Sequence, residues 1–411
     1  MRVVVVGAGA VGLCCALTLQ MQGHDVTILD PAGPGEGATM GNPGGISVSS
    51  IFPTAVPGIH RKVPGWLLDP LGPLAIHWRH LPALAPWLWR FLRSATPARA
   101  EAATLALRAL TADAPAVYAP LLAYADAADL MRQDGHLIVY RSIATMEAEA
   151  ASWRRRAALG IEATPLGPEV LDLEPALDPA FRCGRLVPGN AHCPDPRRLM
   201  QRFAATLERQ GGRLLRQAAH DVAITDGRVA AVRTEAGDIQ ADAVILAAGA
   251  HSRRLAARLG DRVPLEAERG YHAEVQNCGI RLRRPVFSTA DKVFAASMDT
   301  GLRFAGTAEF AGADTAPDWR RADGLFALGR SLFPALRQDE TITRWMGLRP
   351  STPDSLPVIG RSRRAANAFH AFGHGHVGLT GAAMTGRIVA ALVADAPSPV
   401  PLAPYAPDRF A

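Results

Sequence analysis

The first thirty residues constrain the fold more than any other stretch of this chain. Val3 to Val6 is an unbroken β-branched run, the mark of a parallel strand buried on both faces. GAGAVG follows at Gly7 to Gly12 and runs into LCCALTLQMQG, an apolar helix that Gly23 ends. DVTILD then makes a second strand that closes at Asp30. The turn satisfies G-x-G-x-x-G in the context that gives the pattern meaning, after a strand and at the start of a helix. Gly7 makes the tight turn, Gly9 lets the backbone approach a pyrophosphate, and Gly12 lets the helix sit against the sheet. The free N–H groups of Ala10, Val11 and Gly12 would then face phosphate oxygens, and Asp30 would accept hydrogen bonds from an adenosine ribose.

That unit specifies a dinucleotide without saying which. Two later segments narrow it. VILAAGA, at Val244 to Ala250, reads as a buried strand whose small end, Ala248 and Gly249, lets the chain pass close to the nucleotide. FGHGHVGLTGAAMTGRIVAALVA, at Phe372 to Ala394, is a Gly-rich turn leading directly into a long apolar helix. A second helix N-terminus aimed inward suits the pyrimidine end of an isoalloxazine, whose reduced form gains negative charge there. His374, Gly375, His376, Val377, Gly378 and Thr380 are the expected contacts, chiefly through backbone, and FAD is the expected cofactor.

With 411 residues the chain has room for two domains. A loop rich in Gly and Pro spans Pro31 to Gly45, and a Trp- and Pro-rich stretch follows to Ala95. Ala-rich helical segments then run to about Arg155, interrupted by the strand-like DGHLIVYRS. PDPRRLMQRFAATLERQGG predicts a helix with Asp195 as N-cap and Pro196 at its first position. The next segment predicts a β-meander with turns at Asp226-Gly227 and Gly237-Asp238, and YHAEV and LRFAGTAEF predict further strands. The formal net charge is +6 and the pI about 9.4, an excess carried by Arg scattered over many segments. No basic stripe interleaved with aromatics appears, so no nucleic acid is expected as a partner. The five cysteines, Cys14, Cys15, Cys183, Cys193 and Cys278, have no metal-ligand spacing and suggest a reducing compartment. No metal is expected. The N-terminus reads as strand and turn rather than signal peptide, and no apolar run of transmembrane length stands out.

Five anchors together resemble the FAD-dependent D-amino acid oxidase superfamily, closest to the bacterial D-amino acid dehydrogenases. They are GAGAVG, the loop GNPGGIS at Gly41 to Ser47, RGYH at Arg269 to His272, GLRPSTPDSLPVIG at Gly347 to Gly360, and GHGHVGLT at Gly373 to Thr380. The resemblance spans nearly the whole chain. It implies a mixed α/β fold in which a Rossmann-like FAD-binding domain (1–55, 193–264 and 340–396) is interleaved with an antiparallel-sheet substrate or cap domain (56–192 and 265–339), followed by a tail at 397–411. It places Thr39, Asn42, Gly44 and Gly45 over the pyrophosphate and flavin. The family's adenine contact, usually Val, falls on His220, which leaves a backbone contact. Relatives that attach FAD through a cysteine carry it near the position of Gly347, so non-covalent FAD is expected.

Arg349 matches the arginine that grips the substrate carboxylate in related amine oxidases. A planar, two-pronged donor that orients a carboxylate suits that task on physical grounds as well. Tyr271 resembles the aromatic at the substrate face, and its alternative is a buried strand tyrosine. His272 is a weaker substrate-contact candidate. The implied reaction is oxidative deamination of a D-amino acid to the 2-oxo acid and ammonia, with hydride passing to flavin N5. Electrons would pass on to a quinone or other respiratory acceptor. Other amines on the same fold (hydroxy-D-proline, sarcosine, glycine, an opine), use of O2 as acceptor, and, more distantly, action on modified tRNA remain alternatives. The segment from Trp66 to Arg93, with Trp78, Trp87, Trp89 and Phe91 between Arg79, Arg90 and Arg93, suits either a peripheral contact with anionic membrane lipid or internal packing. The expected location is cytoplasmic, with the inner membrane face as the alternative.

Overall fold

The Val3–Val6 run lies inside a six-stranded sheet, and its alternating side chains serve two different cores. The sheet order is Val358–Arg361, Ala368–Phe372, Ala243–Leu246, Arg2–Val6, Asp25–Leu29 and Arg213–Leu215, parallel throughout except for the antiparallel edge strand Val358–Arg361. Val3 and Val5 pack under the helices Ala10–Met21, Pro196–Arg209 and Gly378–Val393, while Val4 and Val6 pack beneath the meander and the helix Ser252–Arg258. Each fully buried Val or Ile in such a strand contributes about 1.5–3 kcal/mol relative to exposure. The computed structural model describes residues 1–67, 72 and 74–410, without the side chains of residues 62, 64, 66 and 67.

Two helices meet closely behind the Gly-rich turn. A Cβ on Gly386 would lie 2.8 Å from the Cys14 carbonyl oxygen, so only glycine lets Gly378–Val393 approach Ala10–Met21 this closely. Gly375–Val393 is long and apolar enough to cross a membrane by composition, a feature the sequence reading passed over. Its most apolar stretch is 67% buried inside the fold, which identifies it here as a core helix.

The meander comprises Ala219–Thr225, Arg228–Thr234 and Gly237–Gln240. Asp226 and Gly227 both have positive φ (49° and 69°), as the two-residue turn requires. The second turn falls two residues earlier than expected, at Glu235–Ala236, with Thr234 opposite Gly237. Asp195 caps its helix as predicted, accepting from the Arg198 N–H at 2.9 Å.

A nine-stranded sheet forms the other layer. It is mostly antiparallel, with parallel pairs where Val286–Ser288 meets His136–Tyr140 and where Gly301–Phe310 meets Leu74–Ile76. Its edge strand, Ile342–Ser351, pairs with Glu266–Val275 over ten residues. That strand lies within the segment expected in the nucleotide-binding unit, but its ladder runs with the nine-stranded sheet. Conversely, the helices Pro97–Thr111 and Ala114–Tyr124 lie within the expected cap segment and pack on the six-stranded side, where Tyr118 donates to the Leu379 carbonyl at 2.6 Å. All five cysteines are free.

Candidate functional site

The Gly-rich turn is shaped by contacts that forbid side chains at two of its three glycines. Gly7 has φ +112°, and a Cβ there would lie 2.4 Å from the Ala247 oxygen; one on Gly12 would lie 1.9 Å from the Gly7 oxygen. At Gly9 a Cβ would meet only the Thr39 hydroxyl, at 3.5 Å, so its small size leaves open space beside the turn. The helix beginning at Ala10 has no capping side-chain bond at Gly9 and no acidic residue in its first turn. Its positive end is therefore available to an anion, with the Val11 and Gly12 amides in that first turn. Thr39 accepts from the Ala10 N–H at 3.1 Å, which brings the following loop to the turn. Asp30 accepts from Ala8, Ala32 and Gly33 N–H groups at 2.8–3.0 Å, and a carboxylate with about four acceptor positions keeps one for a further donor. Ala248 passes beside Gly7, where its Cα would lie 3.0 Å from a Cβ on that residue, and Gly249 follows with φ +55°. His220 falls in a register shift of the meander between Ala219 and Asp221, which removes it from the regular ladder. These features fit a dinucleotide laid across the first helix, with open space at Gly9 and an uncapped N-terminus.

The loop from Thr39 to Ser47 is held from three sides. Gly44 has φ +75°, and a Cβ on it would lie 1.9 Å from the Cys193 oxygen; its N–H donates to Asn42 Oδ1 at 2.8 Å. Arg303 reaches over from the large sheet and donates to the Met40 and Asn42 carbonyls at 3.1 and 2.8 Å, while its Nε pairs with Glu274 at 2.6 Å. Thr380, in the first turn of the last long helix, accepts from the Ser47 N–H at 3.0 Å. Gly45 lies against the Phe294 ring.

The turn at 373–378 completes the junction. His374 is buried and shares a hydrogen bond with Thr385 at 2.9 Å, and burial depresses its pKa to about 3, so it is a neutral structural group. Gly375 has φ +50°, and Val377 is buried just before Gly378 opens the helix. His376 is half exposed and reaches the nine-stranded sheet, its Nε2 lying 2.9 Å from Glu268 Oε1.

Strand register decides which expected substrate residues meet. Arg349 lies directly opposite Glu268, Gly347 opposite Gly270 and Trp345 opposite His272, so all six share one face. The Arg349 Nη1 donates to Glu268 Oε1 at 2.8 Å and to the Thr307 carbonyl at 2.9 Å. Its guanidinium lies flat over Gly270, where a Cβ would come within 2.4 Å of Cζ and Nη2. Burial alone would raise the Glu268 pKa, but His376, Arg349 and the Ser351 hydroxyl outweigh it and hold the carboxyl well below the usual carboxylate range. His272 is buried, donates from Nδ1 to the Gly41 oxygen at 3.0 Å and stacks on Trp345.

Tyr271 is on the other face. Its ring is 1% exposed within the core on the far side of the sheet, its hydroxyl donates to Glu309 at 2.6 Å, and it accepts from the Asp318 N–H at 3.1 Å. Burial and that carboxylate push its pKa up to about 12. Tyr271 is therefore not brought to Arg349, because adjacent strand residues point to opposite faces. Glu268, Arg303, Glu274, Thr307 and Trp345 escaped the sequence reading. The one available signal was the cluster of four charged residues, Glu266, Glu268, Arg269 and Glu274, in the single segment Glu266–Val275.

The Trp-rich segment divides. Trp87 is buried against Phe310 and donates to the Ser351 carbonyl at 3.2 Å, whereas Trp78, Trp89 and Leu92 are exposed and Arg93 lies over the Trp89 ring. The Trp66 side chain and residues 68–71 and 73 lie outside the described residues. Among the described residues no group of three His, Cys, Asp or Glu side chains is placed to hold a metal ion.

Comparison with known proteins gives a consistent context. The profile of a family described as FAD dependent oxidoreductase (DAO) matches residues 2–392. A D-amino-acid oxidase of Bradyrhizobium diazoefficiens is 41% identical over 416 residues, covering 100% of this chain and 99% of that protein. A D-amino acid dehydrogenase of Paramagnetospirillum magneticum is 34% identical over 422 residues, again covering 100% and 99%. Among solved structures, glycine oxidase from Geobacillus kaustophilus superimposes with a TM-score of 0.76 at 22% identity, covering 99% of both chains. L-proline dehydrogenase from P. horikoshii gives 0.76 at 19% identity, covering 100% of this chain and 97% of its own.

Proposed function

Because this chain belongs to the FAD-dependent oxidoreductase (DAO) family, we propose that it oxidatively deaminates a D-amino acid to the 2-oxo acid and ammonia. The observation that carries this reading is the seat of Arg349, on the face of the large sheet that meets the turn at 373–378. FAD supplies the acceptor for the hydride that leaves the α-carbon. The chain's own part is to bind and orient. Gly7, Gly9 and Gly12 with the first helix N-terminus hold the pyrophosphate, Asp30 the ribose, and His220, Ala248 and Gly249 the nucleoside side. Thr39, Asn42, Gly44, Gly45 and the segment from His374 to Thr380 hold the flavin end.

Arg349 takes the substrate carboxylate and fixes the α-carbon. Glu268, held ionised far below neutral pH, is a poor proton acceptor, and His374 is buried and engaged, so the ammonium proton leaves to water. His272 and Trp345 wall the same face. Tyr271 enters this proposal only as the support that fixes its strand from behind.

Electrons then pass to a quinone or respiratory acceptor, and the exposed Trp78, Trp89 and Leu92 beside Arg90 and Arg93 support a contact with anionic lipid. A second reading of this step is favoured by the relative named D-amino-acid oxidase, which makes O2 the rival acceptor. The test is anaerobic mixing of the purified holoenzyme with a panel of D- and L-amino acids, prolines and N-methyl glycines. Bleaching of the flavin band by D-amino acids supports the proposal, and a protein bleached by none of them rules it out. Admitting oxygen afterwards separates oxidase from dehydrogenase.

A further inference from the structure

We infer that Glu268 is a specificity-determining residue that makes the Arg349 clamp select amino acids over carboxylic acids lacking an amine. The inference rests on the reading of Arg349 as the carboxylate clamp and adds to it a partner that the motif does not contain.

The argument starts from the donors of one side chain. Both hydrogens of Arg349 Nη1 are spent, one on Glu268 Oε1 at 2.8 Å and one on the Thr307 carbonyl at 2.9 Å. A guanidinium has five N–H donors, so the two-pronged edge left for a carboxylate is the one formed by Nε and Nη2. Gly270 lies against the group, and the Arg349 side chain keeps 22% of its surface exposed. Thr307 contributes its carbonyl from a left-handed backbone (φ +58°), costly for a β-branched residue, and its buried hydroxyl makes no hydrogen bond. Such strain beside the clamp belongs with a built site rather than a casual contact.

Charge then sets the preference. Arg349 is already neutralised by a carboxylate whose side chain is 7% exposed. A bare carboxylate arriving at Nε and Nη2 meets a neutral pair and sits within a guanidinium's width of a second, buried anion. In a partly desolvated site that like-charge contact is strongly unfavourable. A ligand that carries an amine on the adjacent carbon brings its own positive charge and cancels the repulsion. Of the roughly four acceptor positions on Glu268, Arg349, His376 and Ser351 occupy three, which leaves one for an N–H donor. The other titratable groups facing this cluster are His376 on the turn and, one register further along, Glu266 paired with His80 at 2.9 Å.

The experiment uses the FAD-loaded protein and two ligands: the D-amino acid that bleaches the flavin best, and the same acid with hydrogen in place of the amine (propionate where that substrate is D-alanine). Binding of the deamino acid is read from perturbation of the flavin band, and that of the substrate from half-saturation of anaerobic reduction. In the wild-type protein the deamino acid binds at least tenfold more weakly than the amino acid, and equal binding overturns the inference whatever the variants do. Glu268→Gln tightens the deamino acid about tenfold or more without tightening the substrate, and Glu268→Asp keeps the wild-type preference. A Glu268→Gln protein that retains FAD and an unchanged preference refutes the role of Glu268 while leaving the clamp intact. Deamino acid binding that survives Arg349→Ala unaltered refutes the clamp itself, and this inference with it.

Discussion

His272 and Trp345 stack across two antiparallel strands with ring centroids 5.2 Å apart and planes 15° apart. The indole is laid over two glycines: a Cβ on Gly347 would lie 1.9 Å from Trp345 Cη2, and one on Gly41 would lie 2.0 Å from Cε3. One ring thus ties the loop at 39–47 to the strand that carries Arg349. Gly347→Ala should displace the indole and cost about 1–3 kcal/mol, the usual range for overpacking. In a Trp345→Ala background most of that cost should vanish. Thermal melting of the two single variants and the double variant measures the coupling, and additive losses would show that the indole is not what Gly347 accommodates.

Arg349→Ala removes the donors of the carboxylate clamp. With charge-assisted hydrogen bonds worth about 1.5–3 kcal/mol each, KM for the amino acid should rise about a hundredfold or more. FAD content should stay near that of the parent, since Arg349 bonds Glu268 and the Thr307 carbonyl, neither of which is assigned to the cofactor. Steady-state kinetics beside the protein-to-flavin absorbance ratio reads both, and an unchanged KM would remove Arg349 from the substrate.

Arg303 links the large sheet to the loop over the dinucleotide through the Met40 and Asn42 carbonyls. Replacing it with Ala strands the buried Glu274 carboxylate, at a cost of about 3–5 kcal/mol. FAD should be retained less tightly. The double variant Arg303→Met, Glu274→Leu should recover most of the melting temperature but not the FAD affinity, because the carbonyl contacts stay lost. Dialysis followed by flavin fluorescence separates these outcomes.

Local signals carried the nucleotide half of the molecule. The turn at Gly7 to Gly12, the Asp195 cap and the Asp226-Gly227 hairpin each depend on residues a few positions apart, and each formed where its chemistry required. The candidate site on the large sheet depends on register between Glu266–Val275 and Ile342–Ser351, which pairs Glu268 with Arg349 across 81 residues of sequence. No local rule sets that pairing. Nor could the face of Tyr271 be read, because nearly every residue of its strand is buried and the alternation that normally marks the inner face is missing. The Trp-rich helix shows the same limit on a smaller scale. Trp87 and Trp89 are two residues apart, about 200° around a helix, so one is core and the other surface.

Acid should loosen the cofactor loop before it unfolds the rest of the protein. His136, His192 and His272 are buried around Gly41 to Gly45: His272 bonds the Gly41 oxygen, His192 pairs with Gly45 in a two-stranded ladder, and the His136 ring lies 3.4 Å from the Cβ position of Gly45. Burial is the main cause that lowers their pKa values from 6.5, to about 4 for His136 and about 3 for His192 and His272. The sign follows from proton binding. Between pH 6.5 and those lower values the unfolded chain binds protons that the folded chain excludes, so stability falls as pH falls through that window. Each histidine costs up to about 1.4 kcal/mol per pH unit below 6.5, the equivalent of one pKa unit. Carboxylates with depressed pKa values, such as Glu268, take up protons in the unfolded chain only around pH 4.5, so they add little to the loss above about pH 5 and join it below. FAD retention and melting temperature should therefore both decline from pH 6.5 to 5, with His272→Gln flattening the decline in FAD retention. A decline that begins only below pH 4.5 would assign acid sensitivity to carboxylates and clear these histidines.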